Sequence, residues 1–487
     1  MPPSHIAVLG GGFTGLSSAF YLSRRFPSAL ITLVEANSRL GGWAHGERVS
    51  VKVDDNGASA SMLLEFGPRT LRPNGKPVLE LINLLKLRDS VITVPRTAAP
   101  ARNRFLHVPG TDGLLRLPSS PLDFINPKST TLSYPLRSLL LKSDMPLLDS
   151  FGTEYDHDES LDHFLTRRFG DHFARLLGSA LVHGIYAADA RKLSVRAAFP
   201  RLWELEEYGM GSVIRGYLTH SSSPSNSTYD IGSEQESMRD AAVFSFKDGM
   251  ATLPAALEAR LTKTQNVRIR KNVKVRVVSD ADSTVLEPSH IVSALPLPIL
   301  SNVLDPSIAL PHLNANPASD ITVVNLVFPR RSPPLHPAGF GYLIPRPASG
   351  YDSAENPAGI LGVVFDSCAL WEQDEGDSAS FIKMTVMFGG PYTVSPTAVS
   401  TETLLKELAR HLGARNGLPE PVFVHTQHLK SCIPTLTPGH LDRMAQLRHV
   451  LRPDGPFSGR LEVIGAGVGG VSVPGCIEAG RQAGSSW

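Results

Sequence analysis

The sequence predicts an α/β fold built on a doubly wound parallel sheet, with the sheet assembled from separated parts of the chain. Three observations carry this. Two apolar runs near the start, Ile6–Leu9 and Ile31–Val34, show no alternation, as expected of strands buried on both faces of a parallel sheet. A glycine-rich turn, Gly10-Gly11-Gly12-Phe13-Thr14-Gly15, follows the first run directly and opens a helical pattern. The end of the chain repeats the arrangement, with Leu461–Ile464 as a strand, Gly465–Gly470 as a second glycine-rich turn and a helix from Pro474.

In the first unit, Phe13, Leu16, Ala19, Phe20 and Leu22 fall at mostly helical spacing as far as Arg24 and Arg25. Cations there suit the negative end of a helix. Gly10 permits the tight turn, Gly12 lets backbone approach a pyrophosphate, and Gly15 lets helix and strand pack closely. The helix N-terminus then meets the phosphates with unpaired N–H groups. Glu35 and Ala36 close the second strand, and an acid 20 residues beyond Gly15 is placed to accept hydrogen bonds from ribose hydroxyls. The competing reading, a glycine-rich turn without ligand, weakens once strand, helix, second strand and acid are all in place. At the other end Pro474 is tolerated at a helix start, where its missing N–H had no partner. A further strand, Ile291–Ala294, stops at Leu295-Pro296.

This places the nucleotide-binding domain in three pieces, 1–90, 241–305 and 440–487. A mixed-sheet α+β domain spans 306–439, with alternating segments at Ile321–Phe328 and Lys383–Phe388. Residues 330–357 are proline-rich loops around Gly341–Ile344. Residues 91–220 read as a helical domain, and the Ser-rich, aromatic-poor 221–240 as a disordered insertion. Residues 86–142 carry nine Lys/Arg against three Asp, with Leu114, Leu115, Phe124, Leu136 and Leu139–Leu141 among them. Such a stretch fits a membrane-surface patch or an anion pocket. It also fits a solvated helical region with an ordinary core face, which composition alone favours.

The bulk composition excludes several classes. A net charge of +1 with no polybasic tail gives no sign of nucleic-acid binding. Three scattered cysteines, Cys368, Cys432 and Cys476, form neither a disulfide framework nor a metal-ligand spacing, so no metal is expected. No apolar run reaches the roughly 18 residues of a spanning helix. Five residues before the first strand leave no room for an Arg-rich cleavable presequence.

Further motifs narrow the cofactor. Arg39-Leu40-Gly41-Gly42-Trp43 follows the acid, and Glu65-Phe66-Gly67-Pro68-Arg69-Thr70 comes next. With Phe246–Pro254, Val273 and the C-terminal Gly465-Ala466-Gly467 and Val471-Ser472-Val473, these resemble the amine-oxidase-like flavoproteins, which have two dinucleotide-binding domains. The resemblance implies non-covalent FAD in a Rossmann-like domain. It places the double glycine on the pyrophosphate, Gly67, Pro68 and Arg69 by the isoalloxazine, and Val273 backbone at the adenine. The last helix would face the flavin's pyrimidine end, helping to stabilise the anionic reduced form.

A second series is narrower: Asn103-Arg104-Phe105-Leu106, Gly184-Ile185-Tyr186-Ala187, Leu193–Arg196, Gly339–Pro345, Ile360–Ser367, Thr385–Gly390 and Gly475–Arg481. In this order it resembles the protoporphyrinogen oxidase family over nearly the whole chain. The resemblance implies that Arg104 anchors a propionate of the tetrapyrrole, by paired donors matched to a carboxylate. Leu343, Val364 and Met387 would wall the macrocycle, with Phe340 and Gly341 nearby. Read without the resemblance, Arg104 is a surface arginine, Arg69 an ion-pair member, and the wall residues strand core. The implied reaction takes protoporphyrinogen IX to protoporphyrin IX in three two-electron oxidations, with hydride transfer to flavin N5 and O2 returning as H2O2. No catalytic base is assignable, and His45, His107, His163 and His183 read as structural. The resemblance further implies a fungal-type protein of the mitochondrial inner membrane, attached peripherally or monotopically, with a homodimer allowed. Two rivals stand beside it. One is a flavin oxidase for amines or carotenoid precursors, which does not predict the segment around Arg104. The other is a non-catalytic tetrapyrrole-binding flavoprotein.

Overall fold

A computed structural model describes residues 2–52, 57–117, 158–219, 228–275, 286–305, 310–352, 354–393 and 399–487. Strands β1 (His5–Leu9), β2 (Leu30–Val34), β9 (Val267–Arg270), β10 (His290–Ser293) and β17 (Leu461–Val463) form one sheet in the order β17-β10-β1-β2-β9. Every pairing in it is parallel. The apolar runs behave as their composition requires, with Ile6, Val8, Ile31 and Leu33 fully buried. Helix α1 (Phe13–Arg25) packs on this sheet, and the C-terminal helix Val473–Gln482 packs on α1. The second glycine-rich turn takes the form of a short helical turn, Ala466–Gly469, ahead of that helix.

Strands β3 (Gly46–Lys52), β4 (Ser59–Glu65) and β14 (Glu375–Gly376) form a small sheet, and β5 (Val91–Pro95) pairs with β8 (Ala241–Phe246). The larger sheet holds β6 (Phe105–Leu106), β7 (Leu115–Arg116), β11 (Ala318–Pro329), β12 (Gly341–Leu343), β13 (Ile360–Val364), β15 (Phe381–Gly389) and β16 (Phe423–Pro434). Its order is β16-β11-β15-β13-β12-β6-β7. One face, bearing Val324, Leu326, Tyr342, Val363, Met384 and Val386, is covered by the helix Thr401–Leu412 and forms a closed core.

Two sequence expectations change. The helical reading of 91–220 fits the described part from 158 onward but fails over 91–117. There Pro95, Pro100 and Pro109 keep helices short, and β5, β6 and β7 pair into sheets instead. Most of the basic, leucine-rich part of 86–142 lies outside the described residues. The reading of 221–240 as a disordered insertion fails over 228–240. Asp230 N–H donates to Glu80 (2.9 Å), Arg88 donates to Ser233 (2.6 Å), and Met238 is buried in the nucleotide-domain core beside helix α2 (Lys76–Leu85). Residues 221–227 lie outside the described residues.

Buried histidines tie the elements together and set an acid limit. His411 lies against His107, with ring centroids 3.8 Å apart and the planes tilted by 30°, and is bonded to Tyr342 Oη at 3.0 Å. Burial, with His107 and Arg410 alongside, pushes it down to about 2. His183 bridges the Ile344 carbonyl (2.6 Å) and Tyr351 Oη (3.0 Å), and burial pushes it down to about 4. Both are neutral when folded and take up a proton when unfolded below the ordinary value of 6.5. Their contribution is therefore complete above pH 6.5 and declines as pH falls toward the folded values. At pH 5 the loss is up to about 2 kcal/mol for each. Urea titrations should show a lower midpoint at pH 5 than at pH 7.5, with a smaller difference in His411→Gln.

Candidate functional site

The C-terminal ends of β1, β2, β10 and β17 meet at one edge of the parallel sheet, the side on which open α/β sheets bind ligands. The first turn is shaped for close approach. Gly10 has φ +97°, and a Cβ on Gly15 would lie 1.8 Å from the Gly10 carbonyl oxygen. Gly12 begins α1 without a side-chain cap, and no acid occupies the first turn. Its unpaired N–H groups and partial positive charge thus remain for an anion. A Cβ on Gly12 would meet no protein atom within 4 Å. Phe13 and Thr14 are buried.

Glu35 lies against this turn. Its Oε2 accepts from Gly11 N–H at 2.7 Å, and its Oε1 accepts from the Asn37 backbone N–H at 2.9 Å. Ala36 beside it is exposed. Val273 N–H donates to the Glu35 carbonyl at 3.0 Å, which brings the predicted adenine segment to the acid. Gly41 N–H donates to the Gly11 carbonyl at 2.8 Å, and Arg39 donates to the Gly42 carbonyl at 2.7 Å. The double glycine thus crosses the first turn, with Trp43 exposed after it. Gly67 passes close under the Trp43 carbonyl, and Pro68 and Thr70 are half-buried. At the far end Gly465 faces Thr14. Ser472 caps the last helix by accepting from Gly475 N–H at 3.1 Å, flanked by half-buried Ala466, Val471 and Val473.

The larger sheet turns its other face toward this edge. Cross-strand register sets its residues in rows. One row runs Leu106, Leu343, Gly362, Met387, Val323 and Gln427. The next runs Gly341, Val364, Thr385, Asn325 and His425. Strand alternation puts Arg104, exposed at the start of β6, on the same side as Leu106. Phe340, half-buried, donates its N–H to the Asn103 carbonyl at 3.2 Å and packs with Ile92, Val94 and Leu370. The structure thus brings Arg104, Gly341, Leu343, Val364 and Met387 to one face, whereas Phe340 packs beside it. Helix Ser179–Tyr186 crosses the apolar end, where Gly184 leaves room for Leu343.

A polar seam joins this face to the Gly67–Arg69 segment. Arg69 donates to the Glu65 carbonyl at 2.9 Å and stands 3.7 Å from Asp366. Its Nε and Nη1 are buried without a hydrogen bond, as are Glu65 Oε2, Asn325 Nδ2 and His425 Nε2. Burial pushes the Glu65 carboxyl up to about 7 despite the Met250 N–H it accepts. Beside the seam a cavity of about 240 Å³ opens between Trp43, His45 and Phe66 on one side and Gln427 and Leu429 on the other. Buried polar atoms are normally paired. Several orphans in one seam, next to an uncapped helix end and the open space at Gly12, fit a ligand with a polar ring and a diphosphate. Sequence reasoning did not assign roles to Asn325, Thr385 and Asp366. Their one signal was a polar residue set in an apolar run: Asn325 within Val323–Phe328, Thr385 within Met384–Phe388, and Asp366 directly after Ile360–Phe365. Among the described residues no group of three His, Cys, Asp or Glu could hold a metal ion.

The chain is similar to known proteins over nearly its whole length. Residues 13–484 match the family of flavin containing amine oxidoreductases. Protoporphyrinogen oxidase of Bos taurus is 34% identical, with 98% of this chain and 97% of the bovine protein covered. The Schizosaccharomyces pombe protoporphyrinogen oxidase is 31% identical with the same shares covered. A solved structure from Exiguobacterium sp. shares the fold at a TM-score of 0.72 and 22% identity, covering 100% of this chain and 99% of that one. On that full-length similarity the chain belongs to the protoporphyrinogen oxidases within the flavin containing amine oxidoreductase family, and it is a flavin-dependent oxidoreductase.

Proposed function

We propose that this chain oxidises protoporphyrinogen IX to protoporphyrin IX with bound FAD, as a step of heme biosynthesis. The observation that carries the reading is the shared face. Leu343, Val364, Met387 and Gly341 form an apolar face ending at Arg104 on one side and at the seam of Arg69 on the other. Bound FAD would supply the two-electron chemistry of three successive oxidations, with O2 as the final acceptor and H2O2 as its product. The glycine turns, Glu35 and the Val273 backbone hold the dinucleotide. The apolar face orients the macrocycle and excludes water, so that a methylene bridge is held for transfer. Porphyrin fluorescence should grow when protoporphyrinogen is added to the yellow protein, with peroxide released. An inert yellow protein would overturn the reading.

Arg104 offers a guanidinium to a propionate, a contact present in ground and transition states alike. Arg104→Ala should therefore raise KM about tenfold with little change in kcat. An unchanged KM in steady-state assays would remove Arg104 from this role.

The chain is further assigned to the mitochondrial inner membrane as a surface-attached protein. Among the described residues no helix is long and apolar enough to cross a membrane. Leu181, Ile185, Tyr208, Met210, Tyr217 and Leu218, all in the helical unit, are 40 to 77% exposed, which suits interfacial insertion. Liposome flotation should recover the protein with the vesicles. Recovery in the unbound fraction, with or without anionic lipid, would count against attachment.

A further inference from the structure

Asn325 sits in the same cross-strand row as Gly341 and Val364, two strands from Val364 and so roughly 10 Å away. Its side chain is 1% exposed. Thr385 Oγ1 lies 2.7 Å from Asp366 Oδ2 and 2.8 Å from the Asn325 carboxamide. A hydroxyl has one proton to give. Asp366, with the Arg69 guanidinium 3.7 Å away, is a carboxylate and takes it. The carboxamide must then meet Thr385 with its NH2 as donor, because an oxygen there would face a second acceptor. Oxygen and nitrogen of an amide occupy equivalent positions, so the hydrogen-bond chain decides which is which. The outer position, buried and without a protein partner, is therefore the carbonyl oxygen.

We infer that Arg69, Asp366 and Thr385 form a chain whose product is a fixed, unpartnered Asn325 carbonyl, the acceptor for one N–H of the reacting pair. An acceptor left unsatisfied in a buried site costs about 1–3 kcal/mol, so its partner comes with the ligands. Two N–H sources have this chemistry, the flavin in its reduced form and a pyrrole ring of the tetrapyrrole. The inference rests on the reading proposed above. It assigns Asn325 a binding role toward the reacting groups, and Thr385 and Asp366 positioning roles behind it.

The test is Asn325→Leu in the FAD-loaded enzyme, read by the two-electron potential of the flavin and by the Kd for protoporphyrin IX. If the N–H belongs to the reduced flavin, preference for that form falls about tenfold, a potential about 30 mV lower. If it belongs to the tetrapyrrole, the potential holds and the Kd rises about tenfold. Both values within twofold of the natural chain would overturn the proposal. Thr385→Val frees the carboxamide to rotate and should move the same quantity in the same direction, with Thr385→Ser restoring it. Should Asn325→Leu fail to hold FAD, equal values in the two Thr385 variants would overturn the proposal instead. A natural chain that does not turn over protoporphyrinogen sinks the functional reading but leaves the potential measurement standing, so the two failures are distinguishable.

Discussion

Gly12→Ala should give a protein that folds as well as the natural chain and purifies with little or no flavin. The expectation comes from two neighbouring glycines that differ in what surrounds them. A methyl on Gly12 meets no protein atom within 4 Å, and its φ of −74° suits any residue. It projects only into the space where a diphosphate would approach the helix end. Overpacking of this kind costs about 1–3 kcal/mol, or roughly ten- to a hundredfold in FAD affinity. A methyl on Gly15 would instead lie 1.8 Å from the Gly10 carbonyl oxygen. Gly15→Ala must move backbone in the first turn and should lower both flavin content and the melting temperature. Absorbance near 450 nm per protein, together with thermal unfolding of the apoprotein, separates the two. Normal flavin loading in Gly12→Ala would mean that the dinucleotide lies elsewhere.

The same contrast shows what the sequence could and could not reveal. The parallel sheet was legible because strands buried on both faces leave unbroken apolar runs, and the glycines mark where backbone must come close. The role proposed for Leu343 and Met387 rests on resemblance, since Val, Leu and Met on a strand look alike whether they line a core or a ligand. The chain from Asp366 through Thr385 to Asn325 was out of reach. Thr385 and Asn325 are 60 residues apart and meet through strand register, which no local pattern encodes. Composition misled at 228–240. The segment is polar and Ser-rich, yet a few residues such as Asp230, Ser233 and Met238 suffice to hold it on α2. Prolines told more than charge did at 91–117, where short strands replace the expected helices.

Asp374→Ala should destabilise the protein by about 3–5 kcal/mol, because it strands a buried ammonium. Lys383 and Asp374 are each 2% exposed and 2.7 Å apart. Lys383 also donates to the Leu63 carbonyl at 2.7 Å, and Asp374 accepts the Leu63 N–H at 2.9 Å. Leu63 belongs to β4, and Lys383 to β15 of the larger sheet, so the pair fastens the strand leading to Gly67–Arg69 onto that sheet. Burial raises the Asp374 carboxyl pKa, with Lys383 opposing the shift. The loss in Asp374→Ala is thus the cost of an uncompensated charge more than the worth of the pair. That distinction is measurable. Lys383→Met combined with Asp374→Asn removes both charges, keeps an acceptor for the Leu63 N–H and leaves one carbonyl unpaired. The double variant should lose less stability in urea titration than Asp374→Ala alone. If it loses as much or more, the pair stabilises the junction by attraction, and the seam that positions Arg69 depends on that attraction.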